Sequence, residues 1–244
     1  MAFELEYPQP DYQHHMLVVG CKEPGIRSQR GSLKREVWNC DLTSNFANVD
    51  EYPVANNCLE DEKHTFYVSF DQSTGRESLI FPEGTGIPVG GDSGIDFLTL
   101  QIHYLYQQSL PGGMTGHPTI RVRLHAVDPV HDDTKKAGTL SVFGFNRMNP
   151  LSVGAFESPI PISDFAGNET VHPVAVDIHT HEAAISTTLW QIDAHGHRIL
   201  LWSQDPQRER HYHSFKPGLT LGPADAFDLE CTYYNNLTIV QKIG

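Results

Sequence analysis

Glycine and proline recur at short intervals along this sequence, and this spacing limits most what the chain can fold into. The breaks include Pro24-Gly25, Gly90-Gly91, Pro111-Gly112-Gly113 and Pro217-Gly218. Both residue types interrupt regular helices, so the segments between the breaks are too short for many long helices. The spacing therefore favours a fold built from strands.

Four segments alternate apolar and polar residues with the period of two that is typical of half-buried strands. They cover residues 97–104, 119–125, 174–181 and 186–193. The sequence contains no repeat at a fixed period, which disfavours solenoids and propellers. We therefore expect an all-β fold of two antiparallel β-sandwich, jelly-roll-like domains.

A polar stretch over residues 126–138 interrupts the strand pattern, as a connection between two domains does. We place the domain boundary there. The expected domains are residues 1–130 and residues 131–244.

The formal net charge of -13 repels nucleic acid and anionic membrane surfaces, so neither is an expected partner. No apolar run reaches the roughly 20 residues that a membrane-spanning helix needs. Residues 1–8 have neither the basic start nor the apolar stretch of a signal peptide. Either the chain is intracellular or its true beginning is missing. Two glycosylation sequons, at Asn168 and Asn236, would fit a secreted chain.

Fourteen histidines are the unusual feature of the composition, because imidazole is a common metal ligand. His179 and His181 are two apart on an expected strand, so they share a face and can converge on one ion. A second triplet, His195 to His197, falls where the chain needs a hairpin turn, and a solvated loop explains it better. The third triplet, His211 to His213, follows three charged residues, and we expect it on an exposed face.

His14 and His15 are neighbours, and neighbours on a regular strand point to opposite faces. They need a twist or a β-bulge to share one ion. His103 lies on the same face as Gln101 in its alternating segment, opposite Leu98, Leu100 and Ile102. Taken alone, each of these histidines is also explained as a packing residue.

Taken in chain order, the motifs resemble the copper type II, ascorbate-dependent monooxygenases, the family of peptidylglycine α-hydroxylating and dopamine β-hydroxylating enzymes. The matching stretches are HHMLVVGC at 14–21, FPEGTGIPVGG at 81–91, LQIHY at 100–104, HTH at 179–181, DPQ at 205–207 and CTY at 231–233. The resemblance covers residues 14–235 and is weaker over 22–75 and 126–170.

This resemblance implies two copper sites. His14, His15 and His103 would hold the electron-donating copper of the N-terminal domain. His179 and His181 would hold the second copper and act as the catalytic residues, where molecular oxygen and a small-molecule or peptide substrate meet. Ascorbate would supply the electrons, and a substrate C–H bond would be hydroxylated.

Asp177 shares the expected strand face with His179 and His181, so we expect it beside the second copper and in contact with substrate. The peptide-amidating members resemble this segment but carry an arginine at the matching position. An acid there would repel a peptide carboxylate and favour an amine or a neutral substrate. Alternatively, Asp177 caps a neighbouring backbone group or accepts a hydrogen bond from a histidine ring.

The sequence departs from the family pattern at the second copper, because the family adds a methionine ligand and this sequence has no methionine after Met148. We interpret both ends of the chain as truncated, so that both domains are incomplete. The resemblance also implies a disulfide between Cys21 and Cys58, leaves Cys40 and Cys231 without partners, and places the chain in the secretory pathway. Two other interpretations stay open: a copper-binding or interaction protein of the same fold without catalysis, and a β-sandwich adhesion module.

Overall fold

The fold is that of a computed structural model, and the chain divides into two compact units, residues 1–141 and 142–244. The predicted domain boundary at residue 130 lies a short distance before this division, and the two-domain assignment stays a prediction. The structure describes residues 2–6, 13–26, 38, 40, 55–59, 66–71, 76–104, 121–126, 134–142, 146–180, 183–206 and 212–243. Within these ranges only the backbone is described at residues 13–15, 66–71, 76–77, 103–104, 146 and 242–243.

Almost all regular structure in the described residues is β-strand, so the predicted all-β class is confirmed. The strands are β1 (Ala2–Glu6), β2 (Gln13–Cys21), β3 (Phe66–Asp71), β4 (Arg76–Ile80), β5 (Thr85–Gly86), β6 (Phe97–Tyr104), β7 (Arg121–His125), β8 (Lys135–Lys136), β9 (Asn146–Met148), β10 (Ser152–Pro161), β11 (Ala175–Val176), β12 (Ala184–Ile192), β13 (Arg198–Gln204), β14 (His213–Ser214), β15 (Ala226–Asn235) and β16 (Gln241–Ile243). One short helix, α1 (Ser163–Ala166), and a 3-10 turn at Gly91–Ser93 accompany them. The described helices are all too short to cross a membrane.

The first unit contains two three-stranded antiparallel sheets, with orders β4-β1-β7 and β3-β2-β6. In the first sheet the central strand β1 buries Phe3 and Leu5 completely, and Phe3 meets Phe81 edge to face at 6.4 Å. The alternate residues Glu4 and Glu6 pair with Arg123 on the neighbouring strand β7. The sheet therefore has one apolar and one charged face.

The second sheet carries β2 at its centre, and β2 is buried on both faces. Met16 and Val18 are buried on one face, and Leu17 and Val19 on the other, each with 5 % exposure or less. A central strand covered on both faces typically has a continuous run of apolar residues, and residues 16–20, MLVVG, form such a run. This sheet positions three of the candidate ligands.

The second unit is built on a four-stranded antiparallel sheet with the order β10-β15-β12-β13. Its core includes a cluster of Met148, Ala183, Ala184, Cys231 and Tyr233. A two-stranded pair, β11 and β14, joins Ala175 to Ser214 and Val176 to His213.

Three of the four predicted strands are confirmed, at β6, β7 and β12, whereas the fourth prediction was largely wrong. Residues 174–181 were expected to form one strand, but within the described residues 174–180 only Ala175–Val176 does so. A strand needs a pairing partner, and β14 pairs with these two residues alone. Residues 177–180 therefore run on without ladder pairing.

Candidate metal centre

A β-bulge brings the three N-terminal candidate ligands to one place in the second sheet of the first unit. In the antiparallel pair of β2 and β6, Gln13 pairs with Tyr104 and His15 pairs with His103, with a register shift between the two pairs. His14 is thus the extra residue of β2. In a bulge, two residues of one strand lie opposite a single residue of the other. The backbone therefore sets His14 and His15 opposite His103.

His15 also pairs with Asp71 on the other neighbouring strand, β3. The backbone positions Asp71, His15 and His103 consequently form one row across the three strands. The side chains of this row, and that of His14, lie outside the described residues, so the ligand set itself stays a prediction.

The sheet face that carries this row continues into a buried surface. Leu17 pairs with Gln101, and Val19 pairs with Thr99, two and four residues along from the His15–His103 pair. Thr99 is 7 % exposed and Gln101 is 9 % exposed, although both are polar. Leu98 and Leu100, on the opposite face of β6, are 37 % and 44 % exposed. The polar face of β6 is therefore the covered one.

The segment at residues 55–59 lies over this face. Asn57 donates a hydrogen bond from Nδ2 to Gln101 Oε1 at 2.9 Å. Trp38 donates from Nε1 to the carbonyl of Asn56 at 3.1 Å. Gly25 approaches the same carbonyl so closely that a Cβ there would collide with it. Only glycine fits this contact without a backbone shift.

A disulfide between Cys21 and Cys58 fixes the segment covalently to the end of β2, as predicted. Both sulfurs are buried in a cluster with Leu17 and Val19. Cys40 and Cys231 form no disulfide, which also agrees with the prediction. The bridge and the Asn57–Gln101 hydrogen bond both hold the segment beside the His15–His103 row. The sequence analysis missed Asn57 and Gln101 as supports, although the period of two already put Gln101 on the face of His103.

The second candidate site lies in the segment that follows β11. His179 is half-buried with its Nε2 atom enclosed, and it stands between Ile178 and Thr180, which are 7 % and 2 % exposed. Asp177 is also half-buried. His181 lies outside the described residues. Among the described side chains no group of three or more His, Cys, Asp and Glu residues is placed to hold a metal, but His179 is the only predicted ligand whose side chain belongs to that set.

The other two His-x-His triplets differ from one another. The turn with His195 and His197 joins β12 to β13, so the predicted hairpin is confirmed. His213 was expected on an exposed face, and this prediction was wrong. His213 is half-buried because its ring stacks on Trp202 at 4.2 Å, and β14 pairs it with Val176. His211 lies outside the described residues.

The strands define an all-β protein, and its histidines offer candidate metal sites. Comparison with known proteins shows which family the chain resembles. Residues 5–110 match the N-terminal domain of the copper type II ascorbate-dependent monooxygenases, the range that contains His14, His15 and His103. The chain is similar to this family through that region.

Two curated relatives match over a longer range. Peptidyl-glycine alpha-amidating monooxygenases B and A of Xenopus laevis are each 24% identical to this chain over 223 residues, which is 91% of its length. The matches cover 22% and 20% of the relatives, so the chain spans about a fifth of their length.

Copper and ascorbate are the cofactors of this family. The donor set fits copper, because neutral imidazole is a ligand for both Cu(I) and Cu(II). The backbone register that brings His14, His15 and His103 together fits a three-imidazole site. His179 supplies an imidazole whose Nε2 atom is enclosed, and its expected partner His181 lies outside the described residues.

Proposed function

We propose that the chain is a copper- and ascorbate-dependent monooxygenase that hydroxylates a C–H bond of a small substrate. The observation that carries this proposal is the bulge at His14, which sets two histidines opposite His103 within the range of the family match. When bound, copper supplies one-electron chemistry by alternating between Cu(I) and Cu(II). The rest of the proposal concerns the residues that hold it.

His14, His15 and His103 are proposed as the ligands of the electron-donating copper. Their strands are rigid, because β2 is buried on both faces and is tied to residues 55–59 by the disulfide. A metal that passes single electrons gains from ligands that do not move between its oxidation states, and ligand positions on paired strands are more precise than positions on loops. The Cys21–Cys58 disulfide and the Asn57–Gln101 hydrogen bond are proposed to keep these ligand positions fixed.

His179 and His181 are proposed as ligands of the second copper, where substrate and oxygen meet. The half-buried position of His179 supports this role, since it limits access of water to the imidazole. The enclosed neighbours Ile178 and Thr180 hold the segment in place without ladder pairing. Two imidazoles bind copper more weakly than three, so we expect the second copper to exchange faster.

Asp177 is proposed to select the substrate at this second site. It stands two residues before His179 and is half-buried, so its carboxylate is partly shielded from water. A carboxylate in such a place attracts an amine and repels a peptide C-terminus. Replacement by arginine, Asp177→Arg, would supply the forked donors that suit a carboxylate and should move the preference towards a glycine-extended peptide. Competition between an amine and such a peptide measures this; efficient peptide hydroxylation by the unmodified chain would rule the selection out.

A second candidate function, copper binding without catalysis, is favoured by the packing of Met148. It is 6 % exposed, and it packs in the core with Ala183, Ala184 and Cys231. A thioether engaged in the core is an unsuitable ligand for the second copper. This candidate predicts the same copper binding with no substrate turnover.

Oxygen uptake separates the two functions. Copper-loaded chain is mixed with ascorbate, and the oxygen consumed is measured with and without a panel of small amines and neutral substrates. We expect uptake that depends on substrate, is lost in His103→Ala and in His179→Ala, and is retained in the control His172→Ala, which changes an exposed histidine. Copper binding without any substrate-dependent uptake would establish the binding protein instead.

We further propose that the chain folds in the secretory pathway. The Cys21–Cys58 disulfide is typical of an oxidising compartment, and the sequon residues Asn168 and Asn236 are both exposed. Expression behind a secretion signal should yield protein whose mass falls on treatment with an N-glycosidase. Asn168→Gln and Asn236→Gln should each remove one glycan. Secreted protein without a glycan at either residue would contradict this assignment.

A further inference from the structure

The hairpin between β12 and β13 holds two histidine rings in a fixed arrangement at the protein surface. The backbone of Asp193 and His197 closes the loop, with the N–H of Asp193 donating to the carbonyl of His197 at 3.0 Å. Gly196 has φ +83°, a left-handed conformation that glycine adopts without strain. The turn between them is completed by the N–H of Gly196, which donates to the carbonyl of Asp193 at 2.8 Å.

The carboxylate of Asp193 organises the turn. Its Oδ1 accepts hydrogen bonds from the backbone N–H groups of His195 and His197, each at 2.8 Å. Its Oδ2 lies 2.9 Å from His197 Nδ1. The hydrogen bonds from His197, backbone first and then ring, hold the pKa of this carboxyl at about 2.

The contact with Asp193 fixes the tautomer of His197. An ionised carboxylate only accepts hydrogen bonds, so Nδ1 carries the proton and Nε2 keeps its lone pair. The side chain of His197 is 74% exposed, which leaves the ring accessible from solvent. A carboxylate behind a ligating imidazole is the usual support of histidine metal ligands, because it orients the ring and raises its basicity.

The second ring lies within reach of the same ion. The ring centroids of His195 and His197 are 6.0 Å apart. With metal–nitrogen distances of roughly 2 Å on each side, one ion can span this separation when both rings turn a nitrogen towards it. Asp193 is engaged by His197 and by backbone, so the site offers two protein ligands, with water completing the coordination.

The cationic side chain next to His197 in the sequence does not oppose an incoming metal ion. Arg198 directly follows His197, but its NH2 group binds Asp228 at 2.7 Å and Glu230 at 3.1 Å. Its guanidinium also lies over the ring of Trp190, 4.7 Å from the centroid. Arg198 is thus held against β15 and the sheet. The turn keeps the negative charge of Asp193 beside the two imidazole rings.

We propose that His195 and His197 form a surface site for Cu(II), supported by Asp193 and separate from the two sites of the proposed function. Among divalent first-row metals, Cu(II) binds nitrogen ligands most tightly. The site depends on geometry within one hairpin and does not require the proposed monooxygenase activity.

Equilibrium dialysis against micromolar Cu(II) at neutral pH tests the site on the full chain. We expect wild type to bind one more equivalent of copper than His195→Ala or His197→Ala, and His172→Ala, another exposed histidine, to bind as wild type does. Asp193→Asn should keep the site but weaken it about tenfold. The additional equivalent should persist in His103→Ala and in His179→Ala, which distinguishes it from the two other copper sites. Equal copper content in wild type and both hairpin variants would overturn the proposal.

Discussion

His15 and His103 are directly opposed residues of the antiparallel pair of β2 and β6, and the residue before His15 breaks the register beside them. Neighbouring histidines cannot reach one ion from a regular strand, since they point to opposite faces. The bulge removes that obstacle. A site of three imidazoles is therefore compatible with a strand that is otherwise regular and buried on both faces.

The disulfide should stabilise the segment at residues 55–59, which lies on the Gln101 face of β6. Cys21 and Cys58 are 37 residues apart, and a bridge over a loop of this size stabilises by about 4 kcal/mol through the unfolded chain. The double variant Cys21→Ala, Cys58→Ala should lose stability of that order in denaturant unfolding. Cys40→Ala, which removes a half-buried cysteine outside any disulfide, is the control and should cost less than about 1 kcal/mol. Equal losses of unfolding free energy in the double variant and in Cys40→Ala would show that the disulfide is not the source of this stability.

Two adjacent asparagines offer a matched test of how buried hydrogen bonds stabilise the second unit. Asn235 is fully buried, and its Nδ2 donates to the carbonyls of Met148, Asn149 and Ile239. Asn235→Asp would replace this donor by a charged oxygen facing three carbonyls and should cost roughly 3 kcal/mol or more. Asn236→Asp changes an exposed neighbour and should stay within about 0.5 kcal/mol. Unfolding of both variants, produced without glycosylation, measures the difference; similar stabilities would contradict the role of Asn235.

Stability should fall at alkaline pH because of two buried groups. Burial raises the pKa of the Cys231 thiol to about 11 and that of the Tyr233 hydroxyl to about 12, from ordinary values of 9.0 and 10.0. The unfolded chain therefore loses these protons first. The stabilisation that the neutral groups provide is complete below pH 9 and is lost as the pH rises through the two raised values.

Denaturant midpoints measured from pH 8 to pH 12 test this pH dependence. The double variant Cys231→Ala, Tyr233→Phe should lose less stability than wild type across that range. In addition, iodoacetamide should modify Cys231 slowly at pH 8 in the folded chain and rapidly after unfolding. Parallel pH profiles for the two proteins would mean that other groups cause the alkaline loss.

The local sequence pattern predicted much of the fold. The features that it did not predict depend on tertiary packing between separate strands. The alternation in 97–104 predicted β6 and the shared face of Gln101 and His103, and Gly196 with its flanking strands predicted the hairpin. The alternation did not show which face of β6 is buried, because residues 55–59 are pinned there by a disulfide to a distant strand. The stacking of His213 on Trp202 likewise joins separate strands and has no local signal.

The candidate site could also be predicted only in part, because its residues come from separate strands. His14 and His15 required a bulge, and the structure places one there, but only the register of β6 shows that His103 is the residue opposite. The expected strand around His179 does not form because its pairing partner, β14, is two residues long. The sequence of residues 174–181 carries no information about the length of that partner strand.

Copper content is the most direct test of the central claim that the chain has two distinct histidine copper sites. Every protein, including the otherwise wild-type chain, carries His195→Ala to remove the hairpin site; each is loaded with copper under ascorbate, freed of unbound metal by gel filtration, and analysed for copper per chain. Wild type and His172→Ala should each retain two equivalents, and His103→Ala and His179→Ala one each. Titration with a competing chelator should show the copper left in His179→Ala to be held more tightly than the copper left in His103→Ala, because three imidazoles bind more strongly than two. Full retention in both variants, or complete loss from both, would contradict the assignment.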